Sequence, residues 1–169
     1  MAYTFPMEHQ QETDWCWCAV AVSMEHYFDP HSRLTQDAFA PQALGVASLA
    51  EADQPWYLSQ ALKKLDMLAG NPPGYLSFDD VRLQLDQNLP VCVHIAWNGG
   101  GSHFVVITGY EISPERTLVC VSDPLLQAGN HVLWDYDAFV FAYSPNYANA
   151  EGTWVDTCLV KPLKPGGKR

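Results

Sequence analysis

Between residues 15 and 28 the chain reads Trp-Cys-Trp-Cys-Ala-Val-Ala-Val-Ser-Met-Glu-His-Tyr-Phe, without glycine or proline and apolar on almost every side. A helix with so little polar face is a buried, central one. Thr13 or Asp14 offers a side-chain oxygen to cap it, and Asp29-Pro30 ends it, because proline drives the preceding residue out of helical backbone. Residues 31–54 carry a weaker pattern, with short helical pieces at 36–39 and 48–52. Gln54-Pro55-Trp56 then opens a helix to about residue 68, Pro55 suiting its first turn and Gly70-Asn71-Pro72-Pro73-Gly74 closing it. Ser77 caps a further helix over 78–88, with Asp79 and Asp80 at its positive dipole end.

After Pro90 the pattern changes to β-rich runs at 91–97, 102–111, 117–122, 132–134 and 153–161. Gly99-Gly100-Gly101 and Ser113-Pro114-Glu115 punctuate them as turns. Helices first and strands second predict an α+β fold, with a helical N-terminal half packed on a C-terminal antiparallel sheet. One domain is expected over residues 1–161, followed by a flexible tail at 162–169.

The 169 residues suffice for a core, and 48% hydrophobic with 17% charged residues is an ordinary globular composition. A net charge of −10 repels phosphate backbones and anionic lipids, so nucleic-acid and membrane-surface roles are not expected, and any charge-guided partner is basic or neutral. The N-terminus lacks a basic segment followed by an apolar run, which makes the cytoplasm the default location as synthesised. Five cysteines are an odd number at irregular spacing, against a disulfide framework. Cys92 and Cys120 lie in β-branched runs and read as small core residues, while a Cys120–Cys158 bridge stays open.

Cys16 starts the buried helix, where free N–H groups and the dipole favour a thiolate. Cys18 points to another side and reads as structural. A thiolate nucleophile needs a base, and the base needs a partner that fixes its tautomer. His103 stands where the Gly99–Gly101 loop meets the apolar Phe104-Val105-Val106-Ile107 run, which suits a rigid but accessible base. His94, inside a strand, is the alternative; His9, His26, His31 and His131 have nothing beside them in the sequence to fix their rings. Asp123, at the exit of the 117–122 run, is placed to reach an imidazole Nδ1–H on a neighbouring strand. A metal site from Cys16, Cys18 and a histidine lacks CxxC or His-x3-His spacing, and no cofactor is expected.

Gln10, Cys16-Trp17, the Gly101-Ser102-His103-Phe104 run and Ser122-Asp123-Pro124 come in this order, and together they resemble the papain-like cysteine peptidases. The Gln-x5-Cys-Trp pattern matches that superfamily, and Trp15-Cys16-Trp17-Cys18-Ala19 with His103 and Asp123-Pro124 is similar to its compact bacterial branch, the relatives of the AvrRpt2 effector and the leader peptidases. Two residues depart from papain itself: Cys18 replaces the usual small residue, and Asp123 replaces an Asn. The resemblance implies a papain-like fold and thiol-dependent hydrolysis of peptide or related amide bonds. It implies Cys16 as nucleophile, His103 as base, Asp123 as its orienting partner, Gln10 as oxyanion donor and Trp17 as a structural residue. A deamidase or acyl transferase would use the same residues, and a non-catalytic binding module would keep only the fold. With thirteen residues before Asp14, an inhibitory propeptide of the kind the resembled family carries is not expected within this sequence. The expected chain is therefore active as made, controlled by a regulatory or immunity partner, or a piece of a longer protein. Exported effectors in the resembled branch leave delivery by a dedicated secretion system open.

Overall fold

The computed structural model describes residues 4–127 and 131–163. The apolar run forms α1 (Cys16–Phe28), buried over nearly its whole length and ended at Asp29. Neither Thr13 nor Asp14 caps it. Trp15 occupies the N-cap, where its indole offers no acceptor and instead donates Nε1–H to Ala52 O at 2.8 Å. The weakly patterned stretch holds α2 (Gln36–Leu44) and α3 (Leu49–Ala52). Left-handed Gly45, at φ 70°, closes α2, and a reciprocal Ser48–Glu51 capping box opens α3.

The helix expected from Gln54 is shorter, running over α4 (Leu58–Lys64), and residues 68–70 instead form β1 (Leu68–Gly70). Ser77 caps α5 (Phe78–Asp86) by accepting from Asp80 N, as its sequence predicts. The remaining strands are β2 (Val91–Trp97), β3 (Ser102–Ile112), β4 (Thr117–Ser122), β5 (His131–Asp135) and β6 (Gly152–Val160). Between the last two lies α6 (Tyr136–Ala142), a helix the strand pattern does not announce, capped by Asp135 accepting from Ala138 N. Of the expected tail, residues 164–169 lie outside the described residues.

The strands make one antiparallel sheet in the order β1-β6-β2-β3-β4-β5. Alternate residues feed two cores. Cys92, Phe104, Val106 and Cys158 face the cluster built by α1, α2 and α4, whereas Val93, Ile95, Val105, Ile107 and Val121 face Val81 and Leu85 of α5 and Phe139 and Val140 of α6. Burial on both faces explains why the central strands read as unbroken apolar runs. It also amends the expected two-part layout: helices cover the sheet on both sides, and β1 from the helical half extends one edge. A bulge in the β2–β6 pairing sets Trp154 opposite Ile95 and Asp156 opposite His94, so Trp154 joins the α6 side.

Cys120 and Cys158 cannot bridge, because β2 and β3 separate their strands. Cys158 instead lies directly across from Cys92, and all five cysteines are free. Among the described residues no helix is long and apolar enough to cross a membrane.

Candidate active site

The start of α1 is held by three hydrogen bonds to one short segment. Trp15 Nε1 donates to Ala52 O, Trp17 Nε1 to Gln54 O at 3.0 Å, and Asp14 N to Asp53 Oδ1 at 2.9 Å. The two tryptophans that flank Cys16 are thus anchors for its backbone, and Trp17 is fully buried against Phe39 and Trp56. With no side-chain cap, the first-turn amides of the helix are left without intrahelical or capping acceptors beside the Cys16 thiol. Cys18 is buried, donates to Gln36 O, and has its thiol pushed far up, first by burial and then by Glu8 and Asp37. It is an inert core thiol.

His103, 3% exposed at the start of β3, meets Asp123, 1% exposed just past β4, at 2.8 Å between Nε2 and Oδ1. The ring nitrogen engaged is Nε2, which corrects the expected Nδ1 contact. Nδ1 is the ring nitrogen that Asp123 leaves free, and Cys16 lines the same cleft as His103 and acts on its ring. Burial alone drags the imidazole toward the neutral form, yet the Asp123 hydrogen bond, the Cys16 contact and their charges outweigh it and hold His103 up at about 9. Burial likewise works against the Asp123 carboxylate, but His103, Tyr143 and Tyr147 outweigh it and hold the carboxyl below its ordinary value. A carboxylate only accepts, so Nε2 carries the proton.

Aromatic rings fix the imidazole in place. Trp97 stacks on it at 6.1 Å and 19°, and Tyr147 meets it edge-on at 6.0 Å and 73°. Trp97 lies flat over Gly152, where an added Cβ would stand 2.7 Å from the indole and 2.3 Å from Ile95, so only glycine fits there. Tyr143, also stacked on Trp97, and Tyr147 both donate to Asp123 Oδ2. Sequence patterning gives no sign of either tyrosine, since they come from the end of α6 and the irregular segment after it.

Gln10 is tied to the same region by its backbone N–H, which donates to Pro124 O at 2.9 Å. Its side-chain Nε2 donates to Glu12 O at 3.0 Å and Thr13 O at 2.7 Å, and its Oε1 is buried without a hydrogen-bond partner among the described residues. Exchanging the two amide atoms would press Oε1 against both carbonyls, so the network fixes this orientation. Gln10, Cys16 and His103 all line a cleft of about 830 Å³, whose apolar walls include Trp56, Phe104 and Leu125 and whose polar rim includes Asp14.

His94 is elsewhere. It stacks on Phe104 at 4.6 Å, has Nδ1 3.7 Å from Asp156, and is lowered by burial against the pull of that carboxylate. His26, expected to be loosely set, is held on both sides, by Glu8 at 3.2 Å and Leu34 O at 2.9 Å. Among the described residues no three His, Cys, Asp or Glu side chains gather in a way that would hold a metal ion. Comparison with the curated proteins finds none that matches. A protein-family model described as papain-like cysteine protease AvrRpt2 matches residues 1–139.

Proposed function

The chain belongs to this papain-like cysteine protease family, and on that premise we propose that it hydrolyses peptide or related amide bonds through Cys16, His103 and Asp123, by way of a thioester. The observation that carries the reading is the buried 2.8 Å Asp123–His103 contact, with Cys16 and His103 lining one cleft of about 830 Å³. A nucleophile beside a base whose tautomer a carboxylate fixes is the arrangement that thiol acyl transfer requires, and these residues support that reading.

In the acylation step Cys16 Sγ, its proton already resting on His103 Nδ1 in a thiolate–imidazolium pair, bonds to the acyl carbon. The carbonyl electrons move onto oxygen beside the uncapped first-turn amides of α1, whose N–H groups and dipole stabilise that charge. Collapse of the intermediate breaks the C–N bond, and Nδ1 returns its proton to the departing amine. Water then attacks the thioester, loses a proton to Nδ1, and the acid leaves as Cys16 recovers its proton. Asp123 keeps Nε2 protonated throughout and stabilises the imidazolium. Gln10 supplies a further oxyanion donor by exchanging one of its two loop carbonyls for the substrate, since both of its N–H groups are engaged in the free enzyme.

The test is a proteome-derived peptide mixture incubated with the wild type and with Cys16→Ala, the new termini being read by mass spectrometry. Cleavage sites present with the wild type and absent with the variant are expected. Equal cleavage by both, or none by the wild type, overturns the reading.

A further inference from the structure

The two oxygens of Asp123 have separate partners. Oδ1 accepts from His103 Nε2 and, at 2.8 Å, from Leu125 N, while Oδ2 accepts from Tyr143 Oη at 2.6 Å and from Tyr147 Oη. A buried carboxylate needs its lone pairs satisfied, yet backbone amides would have sufficed. Here two phenols are spent on the oxygen that His103 does not use. Tyr143 belongs to the core on the α6 side of the sheet, whereas Tyr147 lies in the segment between α6 and β6 that walls the cleft together with Ala148, Asn149 and Ala150.

We propose that Tyr147, acting with Tyr143, is a positioning residue that sets how strongly Asp123 holds the proton on His103. The inference rests on the reading of His103 as the base. Each phenol O–H stabilises the carboxylate anion and draws charge toward Oδ2, which weakens Oδ1 as an acceptor for Nε2–H. A bare buried carboxylate would grip the imidazolium harder and make it a poorer acid toward a leaving amine. The hydroxyls also fix the carboxylate plane, so Oδ1 cannot turn away from the ring.

Among the described residues, the titratable groups that act on this pair come from four elements or segments. Cys16 comes from α1, Asp123 from the end of β4, Tyr143 from the end of α6 and Tyr147 from the segment after it. Burial and the adjacent carboxylate push both phenols far above their ordinary value, so they remain donors across the working pH range. Tyr147 differs from Tyr143 in also presenting its ring edge to His103 and its neighbours to the cleft, which makes it the link between the wall and the base.

The experiment is an NMR titration of His103 in protein labelled with 15N-histidine, in the wild type and in Tyr147→Phe, which keeps the ring and removes the hydroxyl. The His103 midpoint is expected to rise by about half a unit to one unit when one phenol donor is lost. The alkaline limb of the pH–rate profile should move up with it, and amide substrates should slow more than esters of the same acyl group, because esters need less help from the imidazolium. Tyr143→Phe removes the other donor to Oδ2 and is expected to move the midpoint in the same direction, which keeps the question answerable if Tyr147→Phe does not fold. A His103 midpoint that stays or falls in the folded Phe variant overturns the proposal. The titration requires no turnover, so a wild type that cleaves nothing would sink the peptidase reading alone.

Discussion

Replacing Asp123 by Asn removes one charge and little else. The amide oxygen can still accept from Nε2 and from Leu125 N, and its NH2 can donate to the Tyr143 and Tyr147 oxygens, so the ring should keep its place. What changes is the balance on His103, held at about 9 against an ordinary 6.5 even though burial pulls it down. That span corresponds to about 3 kcal/mol of preference for the imidazolium, an upper figure because the Cys16 thiol shares in it. With the carboxylate neutralised, burial is opposed only by Cys16 and a neutral acceptor, and the imidazole should fall to its ordinary value or lower. A group raised on folding contributes stability that is complete below its unfolded value, 6.5 here, and is lost as pH rises through about 9. Urea unfolding of the wild type should therefore show a loss of up to about 3 kcal/mol between those pH values, and Asp123→Asn should show almost none of it. In kcat/KM the alkaline limb should drop by about two units, with partial activity kept at acidic pH. An alkaline limb that coincides with that of the wild type would refute the argument and leave Asp123 as a structural strand-end residue.

Three further substitutions probe the surroundings. Gln10→Ala should slow turnover by about 10²–10³, the usual loss for one oxyanion donor, while Cys16 remains open to a small alkylator; unchanged turnover removes Gln10 from the site. Gly152→Ala forces a methyl into Ile95 and the Trp97 indole. It should destabilise by about 1–3 kcal/mol in thermal unfolding and lower activity as Trp97 leaves its stack on His103, and a variant as stable and active as the wild type would contradict the packing argument. His94→Ala should cost about 1 kcal/mol of stability with kcat retained, since the ring serves only its Phe104 stack and its contact to Asp156; an inactive but folded variant would reassign the base.

The elements that sequence patterning places best, β2, β4 and the capped start of α5, are those whose residues alone determine what they do. A β-branched run between turns has no alternative, and Ser77 finds its acceptor role three residues on. Where patterning fails, a distant partner has taken over. Leu68-Ala69-Gly70 is a strand only because β6 lies beside it, and Trp56 leaves the helix it seemed suited to open because its ring packs edge-on against Trp17. Helix α6 falls between the strand runs at 132–134 and 153–161, where the pattern assigns no element, although Asp135, three residues before the Ala138 N–H that it accepts from, was a legible cap signal. The site follows the same division. Cys16, His103 and Asp123 stand at motif positions and come together, whereas the ring nitrogen used, the engaged amide of Gln10 and the two tyrosines on Asp123 are set by packing across the sheet.

The central claim, that His103 activates Cys16 as a nucleophile, is tested most directly by alkylating the folded protein with iodoacetamide at neutral pH and locating the adduct by mass spectrometry. The other four cysteines are buried, so the account predicts one adduct, on Cys16. In folded His103→Ala that adduct should form roughly ten-fold more slowly or worse, because the thiol has lost its proton acceptor. Equal rates of Cys16 labelling in the two proteins would contradict it.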